Sequence, residues 1–185
     1  GGVMGEIIIP RTNDGNEIRK FFLKVAQTLN STLTLEDTIR DSLARAYLGS
    51  NQIGVADATL TTVELDTEVF DIGDNFASYI YTFPVTGYYQ INFRGLGFCA
   101  TAHNLTSFFA AVADGTDTNF LVGTRLYGSF PQNVLIGSTG SGLVYKVAGA
   151  TAKLRVYADM DNAAATLTVY AGAASTYLDV YLIST

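Results

Sequence analysis

The sequence predicts a mainly β protein, an antiparallel jelly-roll β-sandwich with a short N-terminal helical segment. Three observations carry this. From Ala44 onward, short runs rich in β-branched and aromatic residues follow one another closely, with turn chemistry between them. Several runs alternate apolar and polar side chains, as Leu154-Arg155-Val156-Tyr157 does, which is the period of a half-buried strand. Helical periodicity is confined to the residues before Ala44. At 185 residues the chain has the length of one principal domain plus an appendage. The boundaries are 1–43 for an N-terminal anchor peptide and helical stalk, and 44–185 for a jelly-roll knob.

The lead Glu6-Ile7-Ile8-Ile9-Pro10-Arg11 is apolar and extended in character. Asp14-Gly15-Asn16-Glu17 then has the form of a capping box and opens a helix. Ile18, Phe22, Val25 and Leu29 recur at spacings of four, three and four, a stripe able to dock on a β-domain or to join copies of itself. Asn30-Ser31 is expected to close this helix, and Thr34 to start a second of about two turns ending near Leu43. The expected strands are Ala44–Leu48, Leu60–Val69, Tyr79–Phe83, Tyr88–Cys99, Phe108–Ala113, Phe120–Tyr127, Val134–Ile136, Leu143–Val147, Lys153–Tyr157, Thr166–Tyr170 and Tyr177–Ile183. Asp114-Gly115-Thr116-Asp117 reads as a hairpin turn, and Gly137-Ser138-Thr139-Gly140-Ser141-Gly142 as a flexible loop. Pro84 ends one strand and Gly87 permits the turn into the next. Phe83, Tyr89, Ile91, Phe93, Val156, Val169 and Leu182 are the expected core.

Composition narrows the function. Residues 1–45 hold six basic and six acidic groups, leaving five basic against eleven acidic for residues 46–185. The β-rich part therefore has no basic stripe for nucleic acid or for an anionic membrane. No segment approaches ~20 unbroken apolar residues, and the N-terminus lacks the pattern of a secretory signal, so neither membrane insertion nor export is expected. Cys99 is the only cysteine and reads as a small buried hydrophobe, as in a protein made in a reducing cytosol.

The segment Phe70-Asp71-Ile72-Gly73-Asp74-Asn75-Phe76, followed by Tyr81-Thr82-Phe83-Pro84-Val85-Thr86-Gly87-Tyr88, resembles the signature of the complement C1q/TNF-like family. Ala174–Ile183 is similar to that family's closing strand. The resemblance covers about Ala44 to Thr185 and implies a ten-stranded jelly roll that assembles as a homotrimer around aromatic and aliphatic side chains. Sixteen charges in residues 46–185 are sparse for a fully solvated monomer surface, where roughly a quarter of residues are usually charged. Two departures stand out: Tyr81 replaces the family's usual Phe, and Ala148-Gly149-Ala150 replaces a Gly-Asp turn. No collagen-like stalk precedes the knob. A peptide lead, a short helix and a knob in that order look like the C1q-like proteins of bacteriophage virions.

Catalytic chemistry finds little support. One histidine, His103, reads as a loop residue after a long strand, and there is no Gly-x-Ser-x-Gly elbow. One His and one Cys cannot build the usual zinc sites. Asp66, Glu68, Asp71 and Asp74 are the one cluster whose oxygens suit calcium, with solvated strand and loop acids as the alternative; no other cofactor is expected. Asp114 and Asp117 read as turn formers.

Three functions compete. The first is a structural virion protein (head or tail fibre, spike or decoration) held on the particle through Ile7, Ile8, Ile9 and the helix stripe. The second is a knob that attaches to a host glycan or surface protein. The third is a secreted C1q-like ligand, disfavoured by the missing collagen stalk. For the first two the partners are other virion proteins or the host surface, and the expected location is the virion.

Overall fold

The computed structural model describes residues 15–99, 103–116 and 119–185, without the side chains of 15–18 and 33. Two compact units make up the chain, Gly1–Thr38 and Ile39–Thr185. The second begins ahead of Ala44 because Ile39 packs on the β core and Ser42 is buried.

Helix α1 runs unbroken over Gly15–Asp41. The break expected at Asn30-Ser31 does not occur. Hydroxyls that favour turns are satisfied inside the helix instead: Ser31 and Thr32 donate to the Thr28 carbonyl, Thr34 to Asn30 and Thr38 to Thr34, at 2.8–3.0 Å. Its length is about 40 Å at 1.5 Å per residue. Among the described residues, no helix is long and apolar enough to cross a membrane.

The second unit is a sandwich of two antiparallel sheets. The strands are β1 Ala44–Tyr47, β2 Gln52–Ala56, β3 Thr61–Thr62, β4 Thr67–Asp71, β5 Phe76–Ala77, β6 Ile80–Thr82 and β7 Gly87–Cys99. They continue as β8 Leu105–Asp114, β9 Phe120–Phe130, β10 Ile136–Lys146, β11 Thr151–Met160, β12 Thr166–Val169 and β13 Tyr177–Ser184. One sheet has the order β2-β12-β7-β13-β1-β4 with β10 on the other side of β7; the second has β5-β6-β11-β8-β9 with β3 also on β11. Odd-numbered residues of β7 face inward and even-numbered ones outward, which is the strand period made visible. All seven expected core residues are buried, packed with Tyr81, Phe108, Leu154 and Leu178.

Four expectations change. Gly137–Gly142 is not a loop but the middle of β10, paired continuously with β7 from Ile136↔Gly97 to Lys146↔Gly87. Small residues are needed there because a Cβ on Gly140 would strike the Phe93 ring and one on Gly142 would reach Val122 Cγ2 at 2.6 Å. Leu60–Val69 is two strands, β3 in one sheet and β4 in the other, because the chain crosses between them while burying Val63 and Leu65. Strand β2, which pairs with β12, was hidden by Gly54 at φ 79° and by an exposed Ile53. At the Pro84 corner, Gly87 has no positive φ among the residues that do; glycine is required because a Cβ there would collide with the Ser184 carbonyl oxygen.

Candidate assembly surface

The outward face of the seven-stranded sheet follows from register. β7 lies between β10 and β13, so Tyr88 stands opposite Tyr145, Gln90 between Leu143 and Tyr181, Asn92 between Ser141 and Asp179, and Arg94 between Thr139 and Tyr177. β1 extends the rows, with Arg45 opposite Asp179 and Tyr47 opposite Tyr177. The rim is aromatic and aliphatic: the Tyr88 and Tyr145 rings meet edge-on at 5.2 Å. These two tyrosines, Leu143 and Ile183 are exposed, Tyr145 by 56%.

The centre is polar and largely satisfied from within. Gln90 Nε2 donates to Ser141 Oγ at 2.6 Å and to Asn92 Oδ1 at 3.1 Å, and Ser141 Oγ donates to Asn92 Oδ1 at 2.8 Å. Beside this triad Asp179 is only 5% exposed. Arg45 Nε stands 3.4 Å from its Oδ1, while the Arg45 guanidinium also lies 4.6 Å from the Tyr177 ring centre and donates to the Ala173 carbonyl at 2.8 Å. Burial raises the Asp179 carboxyl above its ordinary range; the Arg45 charge and the Tyr181 hydroxyl pull the other way and do not fully offset it.

The sign for stability follows. A carboxyl whose folded pKa is raised penalises the fold above that pKa, and the penalty disappears as pH falls below the unfolded value. Asp179→Asn should therefore raise the melting temperature at pH 7, and the gain over wild type should shrink as pH approaches the ordinary carboxyl range. An Asn variant less stable at pH 7 would show that the Arg45 pair outweighs the desolvation.

The other candidate residues lie elsewhere. The calcium cluster does not assemble: Asp66 Oδ1 accepts from the Gly49 amide at 2.6 Å, Asp71 Oδ2 accepts from the Phe76 amide at 2.6 Å, Glu68 is exposed, and Asp74 turns the chain at φ 54°. Among the described residues no group of three or more His, Cys, Asp or Glu is placed to hold a metal ion. Asp114 binds its own turn through Thr116 and Asn119; Asp117 lies outside the described residues. His103 Nδ1 is 3.3 Å from Asp161 Oδ1 in the segment after β7, and Cys99 is buried with its sulfur 3.8 Å from that of Met160. Of the anchoring residues, Ile7, Ile8 and Ile9 lie outside the described residues, as does the side chain of Ile18. Phe22 and Leu29 are exposed on α1 and Val25 is half-buried.

Arg45 and Asp179 escaped notice in the sequence. Their signal was a charge inside each of two short apolar runs, Ala44-Arg45-Ala46-Tyr47 and Leu178-Asp179-Val180, but only the register joins them.

Two twisted antiparallel sheets with this crossover pattern define the class: a jelly-roll β-sandwich with one broad, uncovered aromatic face. No family profile and no curated protein matches the chain. Solved structures do. The globular domain of zebrafish complement 1qA superposes with a TM-score of 0.52 at 12% identity, over 77% of this chain and 97% of that one. Murine APRIL gives 0.52 at 15%, over 76% and 99%. Eiger TNF from S. frugiperda gives 0.53 at 8%, over 77% and 93%. The knob has the C1q/TNF-like jelly-roll fold, as the Phe70–Tyr88 signature implied.

Proposed function

We propose that the chain is a non-enzymatic structural protein of a bacteriophage virion, a trimeric knob carried on its N-terminal segment. The observation that supports it is the open face of the seven-stranded sheet: an aromatic rim around a polar centre in which Gln90, Asn92 and Ser141 are already hydrogen-bonded to one another within one copy. Such a face loses little by meeting a second copy of itself, because few polar groups are left stranded. Closed three-fold symmetry covers it on every subunit and leaves no sticky surface. The helix and apolar lead would then tie the trimer to the particle, through a sheet edge or groove of a neighbouring virion protein.

Among the described residues the knob's hydrophobic core lies within Ile39–Leu182, so removal of residues 1–38 should leave a folded trimer. That truncated protein is expected to be missing from purified particles assembled in its presence, while the full chain is incorporated. Normal incorporation of the truncated knob would move the anchoring surface onto the jelly roll. A second reading, attachment to a host surface, is favoured by the opposite face of the sandwich.

A further inference from the structure

On the outward face of the six-stranded sheet, register places Arg125 of β9, Phe109 of β8 and Tyr157 of β11 in one cross-strand row. The Arg125 guanidinium is held between two rings, 4.9 Å from the centre of Tyr127 and 5.2 Å from that of Tyr157. One of its nitrogens donates to Ser107 Oγ at 3.0 Å. Phe120 meets Phe109 edge-on at 5.0 Å. Gly123 gives the Phe109 ring its place, since a Cβ there would come within 3.0 Å of the ring. Leu60, Phe109, Phe120, Arg125 and Tyr157 line an open groove of about 190 Å³, and Tyr127 stands beside it, against Arg125.

We propose that this groove binds an acidic saccharide unit, a pyranose carrying a carboxylate. The inference rests on the host-attachment reading and names its ligand class. Three features of the site select that chemistry. Arg125 forms no ion pair with a described residue, and most of its five N–H donors remain for a carboxylate, which its planar fork can grip in two places. Tyr127 is 74% exposed and Phe120 50%, giving flat apolar faces of the size of a sugar ring. Three of the five basic residues of 46–185 stand on this face, Arg125 with Lys153 and Arg155 on the outward row of β11 that also holds Tyr157.

The charge pattern also sets the size of the ligand. Asp159 continues the β11 row and lies opposite Ser107, as Tyr127 does; it supplies an acceptor for a sugar hydroxyl and repels a second negative charge. Eleven acids against five bases over residues 46–185 disfavour a long polyanion such as nucleic acid. One carboxylate among neutral hydroxyls fits both facts.

The test uses the full chain on an array of matched acidic and neutral glycans, followed by calorimetric titration of the best acidic glycan and its neutral counterpart. The acidic member is expected to bind at least about tenfold more tightly. Arg125→Gln should abolish that preference, and Tyr127→Ala should weaken both glycans. Both residues are exposed, so the variants should keep the wild-type mass and melting temperature. Absence of glycan binding, equal affinity for the two glycans, or unchanged binding by both variants overturns the assignment. Light scattering on the same samples keeps this separate from the assembly reading: a monomer that still selects the acidic glycan would sink the trimer and leave the groove standing.

Discussion

Replacing Phe83 by alanine should cost the knob about 3–5 kcal/mol, the range for removing a fully buried aromatic ring. Phe83 is 0% exposed and is clasped by Tyr81 and Tyr89, whose rings lie 5.2 and 4.7 Å away, both edge-on. Each tyrosine is fixed at its far end: the Tyr81 hydroxyl donates to the Ser42 carbonyl at 2.8 Å and the Tyr89 hydroxyl to the Val85 carbonyl at 2.7 Å. Burial accordingly pushes the Tyr81 phenol far above its usual range, with Tyr89 and Asp71 adding to the shift. Neither ring can swing into the space left behind without breaking its hydrogen bond, so the cavity stays open. For a domain whose whole stability is typically about 5–15 kcal/mol, the loss is severe. Urea unfolding should show a lower midpoint with an unchanged slope. A cost under about 1 kcal/mol would mean that the corner relaxes freely.

Tyr145→Glu is expected to turn the proposed trimer of three 19.8 kDa chains into monomers while leaving the fold intact. Tyr145 is exposed on the single chain and touches Tyr88, so a glutamate there costs the isolated knob little, within about 0.5 kcal/mol for an ordinary surface change. In a three-fold assembly the same substitution buries three like charges against aromatic faces, and an unpaired buried charge is costly. Light scattering reads the mass and thermal melting the fold. Wild-type protein that remains near 19.8 kDa at micromolar concentration would remove the basis for the trimer. A variant that stays trimeric would place the interface on another face.

Particular elements explain how far the sequence could be read. Tyr88–Cys99 was legible to within one residue of β7 because Gln90, Asn92 and Arg94 alternate with Tyr89, Ile91 and Phe93. The Phe83-Pro84 corner was legible because proline ends a ladder. The helix was legible as a helix but not in its length, since Ser31 and Thr34 carry the same turn chemistry whether they break a helix or bond back into it. The Gly-Ser stretch of β10 misled for a related reason. Glycine marks both a flexible loop and a strand pressed against a large ring, and only the position of Phe93 tells them apart.

The sequence by itself determined the β architecture, the aromatic core and the C1q/TNF-like signature, because alternation, proline and buried apolar side chains act over a few neighbouring residues. Tertiary structure alone decided which strands lie side by side, and with that the sites. Arg45 and Asp179 meet because β1 pairs with β13, and Arg125 stands with Tyr157 because β8 separates their strands by one ladder on each side. Both juxtapositions depend on long-range register, which local propensity does not encode: a shift of one residue would send each side chain to the other face of its sheet.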